Sequence, residues 1–265
     1  NASHPLPPPM SRLASLPAAL QASLASRRLL KVIAGLTNRD AASVTAVSRA
    51  AGAGGADLID VACDPELVRL AAAASGLPIC ASAVDPDLFP AVVAAGAAMV
   101  EIGNFDAFYP LGRRFGADEV IALTRRTRQL LPHVVLSVTV PHILPLDQQE
   151  QLAVALAAEG ADIIQTEGGT SALPHSAGIL GLIEKAAPTL AAAYAISRAV
   201  PLPVLCASGL SAVTLPLAIA AGASGVGVGS AINRLHDDLA MVAVVRSLRE
   251  ALSGMRKVLG EAHTA

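Results

Sequence analysis

Charge and aromatic rings are scarce in this chain. Of its 265 residues only 15% are charged and 2% aromatic, with four Phe, two Tyr and no Trp, while 53% are hydrophobic. Few aromatics leave no base-stacking platform, and a net charge of −2 leaves no basic footprint for a polyanion, so no nucleic-acid partner is expected. The three cysteines, Cys63, Cys80 and Cys206, have no CxxC spacing. That argues against a zinc knot or a disulfide framework and fits a reducing compartment. No apolar run reaches the roughly 20 residues of a bilayer span: stretches such as Ala71 to Ala74 are broken by Gly and Pro, and no membrane span is expected. Acidic residues are missing before Asp40, and Arg12, Arg27 and Arg28 stand among Ser and Ala, a composition like that of a transit peptide.

What is present is an alternation. Strand-like apolar runs fall at about 29–36, 56–62, 77–84, 98–104, 134–140, 161–167, 203–209 and 225–232, each followed by a helix-length segment rich in Ala. Apolar strands joined by helical crossovers lie parallel with their outer face covered. Eight such units favour closure over the alternative, an open doubly wound sheet, and the length is close to the ~250 residues of one barrel. The expected fold is α/β: a single (β/α)8 TIM barrel over 28–260, a capping helix over 11–27 on the stripe Leu13, Leu16, Leu20 and Leu24, and a disordered Pro-rich tail over 1–10. Asp64-Pro65-Glu66 and Asp85-Pro86-Asp87 read as helix starts, each an Asp cap before Pro at the first helical position. Asp147 with Glu150 reads as a capping box.

An internal repeat sets the register. Gly55-Ala56-Asp57, Gly96-Ala97-Ala98, Gly160-Ala161-Asp162 and Gly222-Ala223-Ser224 each close a helix and lead into an even-numbered strand. Five residues after each Gly come Asp60, Glu101, Gln165 and Gly227, which therefore share one inward layer. Lys31 has the same inward parity. A buried carboxylate pair needs a cation, and Lys31 supplies it either as part of a structural ion network or as an amine nucleophile or proton carrier. On the odd strands, matching Ile79-Cys80-Ala81-Ser82 with Leu205-Cys206-Ala207-Ser208 puts Gly35, Ser82, Thr139 and Ser208 inward near the C-terminal mouth, with Cys80 and Cys206 in a deeper interior layer as packing residues. The matching even-strand residues are Ala62, Gly103, Glu167 and Gly229. Small residues there leave volume for a ligand. Glu167 is the sole acid of that mouth, followed by Gly168, Gly169 and Thr170. It reads as a general acid or base, or as a carboxylate tied up by hydroxyls or a backbone amide.

The last two units carry the strongest signal. Ser208-Gly209-Leu210-Ser211 ends strand seven and Gly225-Val226-Gly227-Val228-Gly229-Ser230 ends strand eight. Barrels bind phosphate at this pair of loops, where glycines admit backbone N–H groups and serines add donors. Substrate contacts are expected from Gly168, Gly169, Thr170, Thr139, His142, Asn104 and Ser82, with Asp106 binding ligand or capping a turn. No group of His, Asp and Glu has metal-ligand spacing, so no metal is expected. The outer helices, rich in Ala, would also suit packing between subunits in an oligomer.

Several segments together carry a resemblance: Lys31-Val32-Ile33-Ala34-Gly35-Leu36, Val100-Glu101-Ile102-Gly103-Asn104-Phe105-Asp106, Leu136-Ser137-Val138-Thr139-Val140-Pro141-His142, Ile164-Gln165-Thr166-Glu167-Gly168-Gly169-Thr170-Ser171 and Ala207-Ser208-Gly209-Leu210-Ser211-Ala212-Val213-Thr214. Over roughly Leu30 to Leu248 the chain resembles the hypothetical chloroplast reading frame 23 family, also called domain-of-unknown-function family 561, of red-algal plastids, cyanobacteria and plants. The resemblance implies a barrel and a photosynthetic source, hence cyanobacterial cytoplasm or plastid stroma, and no activity. The segment Gln165 to Gly169, with the ends of strands seven and eight, is also similar to flavin-dependent nitronate monooxygenases, which implies FMN as a cofactor. The catalytic His of those enzymes has no counterpart at Gly168 or Gly169. Barrels of thiazole and pyridoxal-phosphate biosynthesis have similar phosphate loops. Three readings follow in this order: an enzyme, a lyase or isomerase, acting on a phosphorylated small molecule; an FMN-binding oxidoreductase; and a non-catalytic barrel that senses a metabolite or binds a partner.

Overall fold

Short punctuation signals decide where each element begins. The Asp64 side chain accepts from the Glu66 amide (2.8 Å) and Asp85 from the Asp87 amide (3.1 Å), each with Pro next in sequence. These caps open helix α3 (Pro65–Ser75) and a 3₁₀ turn (Pro86–Leu88) that runs into α4 (Phe89–Ala94). Asp40 caps α2 (Ala41–Gly54) in the same manner, and Gly55 closes it in the left-handed region (φ 88°). The capping box at Asp147 does not form. Pro145 precedes α6 (Leu146–Ala158), so Asp147 and Glu150 already lie inside the helix, which starts without a side-chain cap.

The computed structural model describes residues 11–261, with side chains through Gly254; the Pro-rich stretch 1–10 lies outside the described residues. Strands β1 (Leu29–Gly35), β2 (Leu58–Ala62), β3 (Ile79–Ala83), β4 (Met99–Ile102), β5 (Val135–Thr139), β6 (Ile163–Gln165), β7 (Val204–Ala207) and β8 (Gly225–Val228) pair in parallel in sequence order, and β8 closes on β1. The fold is a single (β/α)8 TIM barrel. The outer ring is completed by α5 (Ala117–Leu130), α7 (Gly178–Ala199), α8 (Leu215–Ala220) and α10 (Asp238–Glu261). All strands but β2 end one to four residues before the apolar runs do. The run expected to continue to Ile232 leaves the sheet at Val228, and Ser230–Asn233 form a short helix, α9.

The two Gly-Ala-Asp copies of the repeat have a shared structural role. Asp57 accepts from the Leu30 amide (2.8 Å) and Asp162 from the Leu136 amide (2.9 Å), each tying its strand's start to the preceding strand of the repeat. Arg249 binds Asp57, and Arg12 and Arg128 bind Asp162, both at 2.9 Å.

The barrel's two ends differ. At the N-terminal end a bulky layer of Leu29, Leu58, Cys80, Met99, Val135, Ile163 and Leu205 fills the interior. The segment before β1 plugs it from below, but not as one helix: a 3₁₀ turn (Arg12–Ser15) and α1 (Ala18–Ala25) flank Pro17, and Leu16, Leu20 and Leu24 are buried against that layer. At the mouth, inward positions are small.

Among the described residues one helix, α7, is by length and composition apolar enough to cross a membrane. In the fold it is the outer helix between β6 and β7, and it buries Ala186, Thr189, Ala192, Ala193 and Ile196. The placing of Cys206 needs correction: it does not face the interior. Pairing of Leu205 with Gly225 and of Ala207 with Gly227 points Leu205 and Ala207 inward, and Cys206 faces α7, where its Sγ lies 3.7 Å from Thr189 Oγ1. The likeness between Ile79-Cys80-Ala81-Ser82 and Leu205-Cys206-Ala207-Ser208 is thus offset by one residue, and one residue turns every side chain to the other face. Ser208 is not part of a strand layer; it sits just past β7 with φ 79°.

Candidate functional site

The charged layer lies deepest. Lys31 Nζ donates to Asp60 Oδ2 (3.1 Å) and to Glu101 Oε2 (2.7 Å). Ser82 donates to Asp60 (2.7 Å), while Ser137 and Gln165 donate to Glu101, both at 2.7 Å. Lys31 is wholly buried. Burial alone would lower its pKa, but the two carboxylates outweigh it and hold the ammonium above its ordinary value. Paired with both carboxylates, Lys31 is part of a buried ion network. Thr139 lies above it, 3.4 Å from Gln165 Nε2.

Glu167, at the next inward level of β6, is also fully buried. Its Oε2 accepts from the Phe105 amide (3.0 Å), and its Oε1 accepts from Tyr109 Oη (2.5 Å) and the His142 amide (3.1 Å). His142 Nδ1 lies 3.1 Å from Oε1 as well, and the imidazole is half-buried. Burial lowers the imidazole's pKa, yet the hydrogen bond and charge of Glu167 and the charge of Asp106 raise it more, so the net shift is upward. Burial and Glu167 together push the Tyr109 phenol up, which keeps it a donor. Asp106 is 4% exposed, accepts from Ser208 Oγ (3.0 Å) on Oδ2, and lies 3.3 Å from His142 Nδ1 through Oδ1, which accepts no hydrogen bond. Asn104 accepts from the Asp106 amide (2.9 Å) and so fixes the turn that presents it.

The absence of metal-ligand spacing along the chain does not carry over to space. Asp106, His142 and Glu167 follow β4, β5 and β6, and the folded barrel brings one ligand-type atom of each to within 4.8 Å of the others.

Beside this cluster a cavity of about 320 Å³ opens at the ends of β7 and β8. It is lined by Asn104, Thr170, Ser208, Gly209, Leu210, Gly229, Ser230, Asn233 and Arg234, with Ile33 at its floor. Ser211 lines a smaller adjoining cavity of about 200 Å³, which shares Gly209, Leu210, Ser230 and Arg234 and adds Lys185. Ser208 links the first of these cavities to the acidic cluster: its Oγ donates to Asp106 and accepts from the Thr170 amide (3.0 Å). Ser82 lies apart, beside a cavity of about 260 Å³ at the ends of β1 to β3 that also holds Cys63 and Arg39. Burial pushes the Cys63 thiol up to about 12 and Cys206 to about 11, so neither is poised as a nucleophile. A larger cavity of about 500 Å³ lies at the opposite end, between α1 and the start of β7, where Arg27 is the sole charged lining residue among those described.

The glycines serve two different purposes. A Cβ on Gly225 would lie 2.7 Å from Leu29, and one on Gly227 3.0 Å from Ala207 and Ile33; these two make room for interior packing. A Cβ on Gly169 would lie 2.3 Å from Gly209 Cα, so the loops after β6 and β7 touch backbone to backbone. A Cβ on Gly168 (φ 127°) would meet Pro188 and His142 at 3.0 and 3.3 Å. Gly229 borders the cavity itself.

Arg234 and Tyr109 escaped the sequence reading. Arg234 follows the Gly225–Ser230 motif by four residues, at the end of α9. Tyr109 had a signal: Phe105, Phe108, Tyr109 and Phe115 are four of the chain's six aromatics and all lie in one loop after β4. Their rings pack together there, Phe105 on Phe115 at 4.5 Å and Tyr109 on His142 at 5.2 Å.

The family described as "Protein of unknown function (DUF561)" matches residues 16–258. "Uncharacterized protein ycf23" of Cyanophora paradoxa is 40% identical over 230 residues, covering 85% of this chain and 93% of that protein. Its namesake in Porphyra purpurea is 34% identical over 229 residues, covering 86% of each. Among solved structures, thiamine phosphate pyrophosphorylase from Pyrococcus furiosus superposes with a TM-score of 0.55 at 17% identity, over 87% of this chain and 98% of the other. (S)-3-O-geranylgeranylglyceryl phosphate synthase from Thermoplasma acidophilum, in complex with sn-glycerol-1-phosphate, reaches 0.58 at 12% identity, over 89% and 98%. At these identities the likeness is one of fold.

Proposed function

The chain belongs to the DUF561 family of plastid and cyanobacterial type, and from its site we propose that it is an enzyme acting on a phosphorylated small molecule. The observation that carries this reading is Arg234. It brings a guanidinium, which binds phosphate oxygens in pairs, to a cavity already lined by Ser208, Gly209, Gly229 and Ser230 at the ends of β7 and β8. The solved barrels that share the fold include enzymes named for phosphate compounds.

The reacting part of the ligand would extend from this anchor past Ser208 toward His142. Glu167, fully buried, acts on it through the imidazole: it holds Nδ1, and the other ring nitrogen makes no hydrogen bond among the described residues. A carboxylate–imidazole pair of this kind takes and returns a proton, which suits a lyase or an isomerase. The setting would be the cytoplasm of a cyanobacterium or a plastid stroma.

The test is thermal. Inorganic phosphate and glycerol phosphate raise the Tm of the wild-type chain, and at 100 times Kd the stabilisation is about 2.7 kcal/mol. Arg234→Ala removes most of that rise without lowering the ligand-free Tm. An equal rise in the variant, or none in the wild type, overturns the reading. FMN added to the same series, read by quenching of its fluorescence, decides whether a flavin phosphate is the ligand.

A further inference from the structure

The trio at the edge of the cavity has the dimensions of an ion's coordination shell. His142 Nδ1 stands 3.1 Å from Glu167 Oε1 and 3.3 Å from Asp106 Oδ1. Ligands held about 2.0–2.2 Å from one ion in tetrahedral or octahedral geometry are roughly 2.9–3.5 Å apart. The two separations from Nδ1 match neighbouring positions of such a shell, and all three atoms lie within 4.8 Å of one another.

A second observation concerns Asp106 alone. Its side chain is buried, its Oδ2 is satisfied by Ser208, and its Oδ1 has no hydrogen-bond partner among the described residues and lies 3.3 Å from the imidazole Nδ1. A buried carboxylate oxygen without a donor costs free energy. The fold accepts that cost where two buried carboxylates, from the loops after β4 and β6, face a single imidazole. A cation would satisfy Asp106 Oδ1 and balance the excess negative charge.

We propose that Asp106 Oδ1, His142 Nδ1 and Glu167 Oε1 bind one divalent transition-metal ion of the zinc or manganese type. One nitrogen and two carboxylate oxygens suit that class better than a copper(I) or iron–sulfur site, which would use thiolates. On binding, the ion replaces the proton on Nδ1, and that proton leaves to solvent. Tyr109 and the amides of Phe105 and His142 orient Glu167 from behind, as outer partners of metal ligands do. The proposal keeps the phosphate anchor of the phosphorylated-ligand reading, on which it rests for one point, and puts the ion on Nδ1 in place of the carboxylate–imidazole proton relay. Ser208 touches both Asp106 and the phosphate cavity, so a ligand anchored by its phosphate could bring an oxygen to the ion's open face and be polarised there.

The experiment is a titration of the full chain, stripped with EDTA, using Co²⁺ alone and reading its visible absorption. Wild type takes up one equivalent with the bands of nitrogen- and oxygen-bound cobalt, and Zn²⁺ displaces it. Asp106→Asn and His142→Gln each weaken uptake by roughly 10–100-fold or more, whereas His133→Ala, at an exposed His, leaves it unchanged. Circular dichroism checks that the variants are folded; should one unfold, Tyr109→Phe, which keeps the ring and removes one oriented donor, still weakens uptake. Absence of cobalt bands in wild type, or equal uptake by the Asp106 and His142 variants, overturns the proposal. A phosphate-induced rise in Tm that persists in the EDTA-stripped chain without cobalt uptake overturns the ion alone. Cobalt uptake without any phosphate response overturns the ligand reading and leaves the ion.

Discussion

Lys31 shows how much can depend on one side chain. It is the sole cation of the interior layer and is flanked by two carboxylates that would otherwise be buried without a counter-charge. Lys31→Ala is expected to cost roughly 3–5 kcal/mol, which for a chain of this size is about 6–20 °C in Tm. Adding Asp60→Asn and Glu101→Gln to that variant restores part of the loss, because the stranded charges are gone; calorimetry of the two variants checks this. The Lys31 set was legible in the sequence because all three residues lie within strands, where side chains alternate faces and a fixed spacing from the repeated Gly gives the register. His142, Asp106 and Glu167 were found individually but not as a group. They come from three loop ends, whose approach in space depends on the closure of the barrel and not on any spacing along the chain.

Among elements, the junction of the loops after β6 and β7 is tightly constrained. Gly169 and Gly209 leave no room between them for a methyl group. Gly169→Ala must push the β7 loop and Ser208 away from the mouth. The expected cost is about 1–3 kcal/mol of stability, together with weakened phosphate binding, measured by denaturant melts and by the phosphate-induced shift in Tm. Gly178→Ala, at a glycine whose Cβ would meet nothing, costs only its left-handed backbone strain and leaves phosphate binding intact. The glycines of this region read in the sequence as a phosphate cradle, and part of that pattern is explained by interior packing instead. The sequence holds no mark that separates the two uses, since both call for a missing Cβ. The one-residue offset of β7 has a similar origin: two Cys-Ala-Ser strings look alike letter by letter, and only strand pairing shows that their faces differ.

On the scale of the whole molecule, the barrel is sealed at one end and open at the other. Leu16, Leu20 and Leu24 lie under the bulky layer that begins with Leu29, and the mouth is left to small side chains and loops. Leu20→Ala removes a side chain that is 1% exposed and should cost about 2–5 kcal/mol. That loss is expected to lower Tm while leaving the phosphate-induced rise unchanged, because the seal and the site are at opposite ends. A change in the phosphate response would mean that the two ends are coupled. Eight units and their order could be read from periodicity, and the repeat gave the inward parity of the even strands, while that of β7 was read one residue off. The ends of the strands could not, because an apolar run does not show where hydrogen bonding to its neighbours stops.

The scarcity of aromatic residues leaves the molecule with an optical simplification. With no Trp, its ultraviolet emission comes from two phenols, Tyr109 against Glu167 and Tyr194 on the exposed side of α7 beneath the Arg198 guanidinium. Replacing Tyr194 with Phe leaves a single fluorophore, and that fluorophore donates to the carboxylate at the centre of the cluster. Whatever enters or leaves there changes the signal of the whole protein, with no label attached.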